Sequence, residues 1–131
     1  MNTVEAVQAS FARFDSPEFY DTVYDIFLAK SPEVRAVFAN TDFKRQKVII
    51  RTTVSLMVRF QLPDPRAQEV FEKVGKSHSR EGYNIHPSLY GLWLDSLLES
   101  IQKHDPEAST DLADAWREYL KEGVDLIASH Y

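Results

Sequence analysis

The sequence predicts an all-α fold, a single domain over residues 1–131, and three observations lead there. Apolar residues recur at intervals of three and four along most of the chain, the spacing that gathers them on one face of a helix. Ser16-Pro17, Ser31-Pro32 and Asp64-Pro65 interrupt that pattern, each with a proline suited to the opening of a helix, and Ser16 can cap. No window alternates apolar and polar residues as a half-buried strand does, and no repeat, low-complexity tract or linker is present. About seven helices joined by short loops follow.

Each element can be justified in order. Thr3 to Phe14 puts Val4, Val7, Phe11 and Phe14 on one stripe. Ser16 then caps a second helix, with Pro17 in its first turn and Glu18 at the positive end of its dipole. That helix carries Tyr20, Val23, Tyr24 and Phe27 and ends near Lys30. Pro32 opens a short third helix ending at Phe38. Thr41 or Asp42 caps a long fourth helix to Phe60, with Phe43, Gln46, Ile50, Thr53, Val54 and Met57 inward and Arg45, Arg51 and Arg59 directed to water. Asp64 or Pro65 starts a fifth helix on which Ala67, Val70, Phe71, Val74 and His78 share a face. Pro87 starts a sixth, strongly apolar one through Leu89, Tyr90, Trp93, Leu94, Leu97, Leu98 and Ile101. After a loop from His104 to Thr110, a last helix from Asp111 turns Leu112, Trp116, Leu120, Val124 and Ile127 inward.

Composition narrows the function classes. Hydrophobic residues make up 44%, including eight Phe, six Tyr and two Trp, enough for a packed core in a chain of this length. The net charge of -5 argues against nucleic acid or an anionic membrane as the main partner. Without cysteine there is no disulfide, thiolate chemistry or thioether attachment of a cofactor. No apolar run approaches a membrane span, and the first residues lack the charged and apolar regions of a signal peptide, so a cytoplasmic location is expected.

Helical metal-site motifs are missing around His78, His86, His104 and His130. Ser77 and Ser79 flank His78, but helix neighbours in sequence are not expected to face each other, and no nucleophile elbow occurs. The four glycines form no phosphate-cradling array. A flat apolar cofactor between helices is the arrangement that remains. His78 ends an apolar stripe, where burial keeps an imidazole neutral and able to ligate a metal. Taken alone, it reads first as a buried histidine bonded to a neighbouring backbone group. Tyr24 and Gln46 sit on core-facing stripes and need polar partners if buried, or else lie half-exposed.

Taken together these residues resemble the bacterial single-domain globins, similar to the haem domain of flavohaemoglobins and globin sensors, over nearly the whole chain from Val4 to Ile127. Residues 19–38 resemble the family's second and third helices, Thr41–Gln46 the start of its distal helix, and Ser77–Arg80 with Ile85–Tyr90 its proximal helix and the helix after it. The resemblance implies a globin-like fold around non-covalent haem b, with His78 as iron ligand. It implies Tyr24 and Gln46 as distal donors to a bound diatomic gas. Phe27, Phe38, Gln46, Ile50, Val54, Val74, Ile85, Tyr90 and Leu94 fall at positions that line the pocket. Arg45, Lys47 and Arg80 are candidate partners for the haem propionates.

Two departures qualify the likeness. The interval from His78 to Pro87 is longer than the family's, and His86, the other histidine there, lies off the apolar stripe. The last helix lacks the glutamate that flavohaemoglobins pair with the proximal histidine. What the resemblance implies is binding of O2, NO or CO for sensing, scavenging or storage. Nitric oxide dioxygenation with an external reductase is the enzymatic alternative, and a haem-free globin-like interaction module is the alternative without cofactor.

Overall fold

The structure is a computed structural model and describes residues 2–131. Among these residues there are seven helices and no strand: α1 (Thr3–Phe14), α2 (Pro17–Lys30), α3 (Pro32–Val37), α4 (Phe43–Arg59), α5 (Pro65–His78), α6 (Ser88–His104) and α7 (Thr110–Ser129). No helix among the described residues is long and apolar enough to cross a membrane.

The starts are set by side chains that take up the free amides of a first turn. Asn2 accepts from Glu5, Ser16 from Phe19, Asp42 from Arg45, Asp64 from Arg66 and Ser109 from Leu112. Ser31 accepts from both Glu33 and Val34. Between the expected Thr41 and Asp42, Asp42 is the cap. Phe38 and Phe60, expected as final helical residues, are C-caps. α6 begins one residue after Pro87 and includes His104, expected in the loop.

α2 packs chiefly on α6, while α5 and α1 pack on α7. The main core centres on the fully buried Trp116, Tyr20, Phe19 and Leu97. α5 and α7 approach closely at Gly123, where a Cβ would lie 2.1 Å from Phe71. A buried polar knot crosses this core. Asp105, 3% exposed, accepts from Ser10 Oγ at 2.7 Å and from Arg13 Nε at 2.7 Å, and Trp116 Nε1 donates to Ser10.

One surface residue has a partner the periodicity did not supply. Arg51 stays partly exposed, but its guanidinium turns to Asp15, 3.1 Å away, which also accepts from Tyr20. A long cationic side chain at the edge of the apolar face reaches a carboxylate on the adjoining loop, something helical periodicity does not report.

A second, smaller apolar cluster lies apart from the main core. Tyr24, Phe27, Val34 and Leu89 are buried in it, and Phe38, Phe43, Ile50, Ile85 and Trp93 pack against it half-exposed. Ile50 and Trp93 also touch the main core, so these two side chains join the clusters. α2, α3, α4 and the beginning of α6 therefore enclose a separate apolar region.

Candidate functional site

Tyr24 is brought into the second cluster by the inward stripe of α2 and is only 2% exposed. Its ring meets Phe38 and Phe43 edge-on, with centroids 5.7 and 5.6 Å away. Its oxygen accepts a hydrogen bond from Gln46 Nε2 at 3.1 Å. The two polar side chains that needed partners are thus partners of each other. Because the phenol oxygen is the acceptor, its own O–H proton is free to donate elsewhere. Burial pushes the Tyr24 pKa up to about 12, despite the opposing effect of the Gln46 bond, so the hydroxyl stays protonated at any physiological pH.

His78 is the last residue of α5. Its Nδ1 lies 2.8 Å from the carbonyl oxygen of Val74, one turn back, which requires Nδ1–H and leaves the lone pair on Nε2. Burial lowers the pKa of the ring, partly opposed by the Val74 bond, and so favours the neutral form. Contrary to expectation, the neighbouring Ser77 does face it: Ser77 Oγ lies 3.0 Å from Nδ1. Its hydroxyl bends back to donate to Val74 as well, at 2.9 Å, so it is bound to the main chain and not poised as a nucleophile.

No hydrogen bond engages Nε2 among the described residues. Nor is any buried side-chain polar atom left unpaired there, so Nε2 faces accessible space. No cluster of three or more His, Cys, Asp or Glu able to hold a metal occurs among the described residues. A lone neutral imidazole suits a metal that arrives with its other ligands already in place, as haem iron does.

The expected lining residues divide between the two clusters. Phe27, Phe38 and Ile85 belong to the smaller one, and Val54, Val74, Tyr90 and Leu94 to the main core, with Ile50 shared. Only Phe27 and Val54 are buried; Phe38, Gln46, Ile50, Val74, Ile85, Tyr90 and Leu94 are half-exposed. These apolar side chains keep accessible surface that a flat apolar cofactor would bury. Haem therefore fits the chemistry of these residues.

Of the cationic candidates, Lys47 pairs with Asp21 at 2.9 Å and Arg80 stacks on Tyr131, while Arg45 is exposed. His86 is occupied too: its Nδ1 accepts from the Ser88 amide at 3.1 Å, closing the start of α6. Two residues went unremarked as lining. Phe43, one turn before Gln46 on the same stripe, could have been found by spacing. Tyr83, 75% exposed with its ring 6.1 Å from that of His78, lies in a loop where periodicity carries no signal.

Comparison with known proteins follows the same lines. The globin family model matches residues 21–127. The crystal structure of a protein from Pseudomonas aeruginosa PAO1, described as structurally highly homologous to a human hemoglobin, superposes with a TM-score of 0.91 at 37% sequence identity, covering 99% of this chain and 98% of that one. A search of curated proteins found no match.

Proposed function

The chain belongs to the globin family, and from that premise we propose that it binds haem b through His78 and takes up O2, NO or CO beneath Tyr24 and Gln46. Haem, when bound, supplies the iron on which a diatomic gas is held. The observation that carries this reading is the Nδ1–H bond of His78 to Val74. It fixes the tautomer, holds the ring against rotation and leaves the basic Nε2 directed at accessible space.

In the smaller cluster, Gln46 donates to the Tyr24 oxygen and so orients the phenol. The free O–H of Tyr24 is the donor for a ligand that has drawn negative charge. A hydrogen bond to a charged acceptor contributes about 1.5–3 kcal/mol, so this pair favours slow release over rapid exchange. That suits sensing, scavenging or storage better than shuttling. Phe38, Phe43 and Ile50 keep water from competing for the donor, since they pack around it in the smaller cluster.

The test is rescue of a cavity variant. His78→Gly, purified with haem, should lose the wild-type spectrum and regain it on addition of free imidazole. Recovery with imidazole at His86→Gly but not at His78→Gly would overturn the assignment.

A further inference from the structure

We propose that Arg51 is a positioning residue for the Tyr24–Gln46 pair: through its forked bond to Asp15 it fixes how α4 lies against α2, and so the reach from Gln46 to the phenol. The proposal rests on the reading of Tyr24 and Gln46 given above. Lys47 and Arg51 are four positions apart on α4, the spacing that stacks two side chains on one flank of a helix. Gln46 and Ile50 form the neighbouring row, each one residue earlier. The first of these rows reaches α2 and the corner before it, while the second meets Tyr24 and its cluster.

The Lys47–Arg51 row makes two ion pairs of different kinds. Lys47 Nζ lies 2.9 Å from Asp21 on α2, whose side chain is more than half exposed, a single contact that water and salt weaken. Arg51 instead donates from Nε to one carboxylate oxygen of Asp15 at 3.1 Å and from a terminal nitrogen to the other at 3.4 Å. A planar fork of this kind fixes direction as well as distance. Its acceptor is itself held in place. Asp15 is the C-cap of α1 and directly precedes Ser16, the cap of α2. Its Oδ1 also accepts from the hydroxyl of Tyr20 at 3.1 Å, a buried side chain one turn before Tyr24 on α2.

One carboxylate thus joins the turn of α2 before Tyr24 to the stretch of α4 beyond Gln46. Among the described residues, only these contacts and the Gln46–Tyr24 bond connect the side chains of α4 to α2 or its corner by hydrogen bonds or ion pairs. Arg51 lies about 7.5 Å along the helix axis from Gln46, so both ride on one rigid stretch of helix. Opening the fork lets α4 roll or slide against α2. The Gln46–Tyr24 bond at 3.1 Å, which weakens steeply with distance and misalignment, is the contact that such a shift breaks.

The experiment compares Arg51→Met and Asp15→Asn with wild type in the full chain, each also in a Tyr24→Phe background. In the haem-free protein, NMR follows the side-chain amide signals of Gln46 and their cross-relaxation with the Tyr24 ring; in the haem-loaded protein, O2 release is followed by CO displacement. Arg51→Met should shift and broaden the Gln46 signals and weaken their contact with Tyr24. It should also speed O2 release about three- to tenfold, the range expected for weakening one neutral hydrogen bond. Asp15→Asn should do the same, and it serves if Arg51→Met fails to fold. The two substitutions remove charges of opposite sign, so a field effect would drive release in opposite directions, whereas loss of the link drives both the same way. In Tyr24→Phe, where the phenol donor is already gone, neither should speed release further. Unchanged Gln46 signals, opposite changes in O2 release, or an equal acceleration in the Tyr24→Phe background would overturn the proposal. The Gln46 signals decide it even if the haem assignment fails, since that failure shows in the wild type.

Discussion

The Nδ1–H of His78 donates to the main-chain carbonyl of Val74 across 2.8 Å, and that bond decides which ring nitrogen is left over. Burial lowers the His78 pKa more than the Val74 bond raises it. The folded state therefore prefers the neutral ring, while in the unfolded chain it titrates near an ordinary value of about 6.5. At acidic pH the unfolded state binds the extra proton. The stability due to neutral His78 is full above about pH 6.5 and is lost as pH falls toward the lower folded value. Urea midpoints of the haem-free protein should drop between about pH 8 and about pH 5.5, and drop less in His78→Phe. Equal pH dependence in the two proteins would refute this.

Tyr24→Phe removes the ligand-facing donor and leaves the ring packing against Phe38 and Phe43 intact. With about 1.5–3 kcal/mol at stake, O2 should leave roughly 10- to 100-fold faster in stopped-flow displacement by CO. The melting temperature should move little by comparison. An unchanged rate would mean that the hydroxyl does not reach the ligand.

Asp105 is a stability residue. Burial alone would raise its pKa, but hydrogen bonds from Arg13, Ser10 and the Glu107 amide outweigh that and hold it below the usual value. Asp105→Ala leaves the Ser10 and Arg13 donors without their acceptor, and breaking a buried pair in this way costs about 3–5 kcal/mol. Denaturant titration should show a loss near the lower end, since Arg13 keeps some exposure. The wild-type contribution is present above the ordinary carboxylate pKa and fades as pH falls through the depressed one.

Gly123→Ala drives a methyl into the Phe71 ring. Overpacking of this kind costs about 1–3 kcal/mol, and the melting temperature should fall by several degrees. Gly91, beside which a Cβ would meet nothing within 4 Å, provides the control: Gly91→Ala should be neutral or slightly stabilising, because alanine favours helix.

Much of this was legible in the sequence because caps and stripes are local. Ser16, Asp42 and Asp64 start helices through side chains two or three residues from the amides they serve, within reach of spacing arguments. The bond from His78 to a carbonyl of its own helix was readable for the same reason. The Ser10–Asp105–Arg13 knot was not, because its partners lie 92 to 95 positions apart and a serine on an apolar face announces nothing. The Arg51–Asp15 pair was not legible either, because Asp15 lies on another element. The Tyr24–Gln46 bond falls between these cases. Each residue stood out alone as polar on an apolar stripe, but only the fold pairs them.

The most direct measurement is the absorption spectrum of the purified protein, supplied with haem, in ferric, dithionite-reduced and CO-bound forms, beside His78→Ala. A Soret band that shifts with CO in the wild type and is lost or grossly altered in His78→Ala is the predicted result. A featureless spectrum after haem reconstitution, or one that His78→Ala leaves unchanged, would contradict haem ligation by His78.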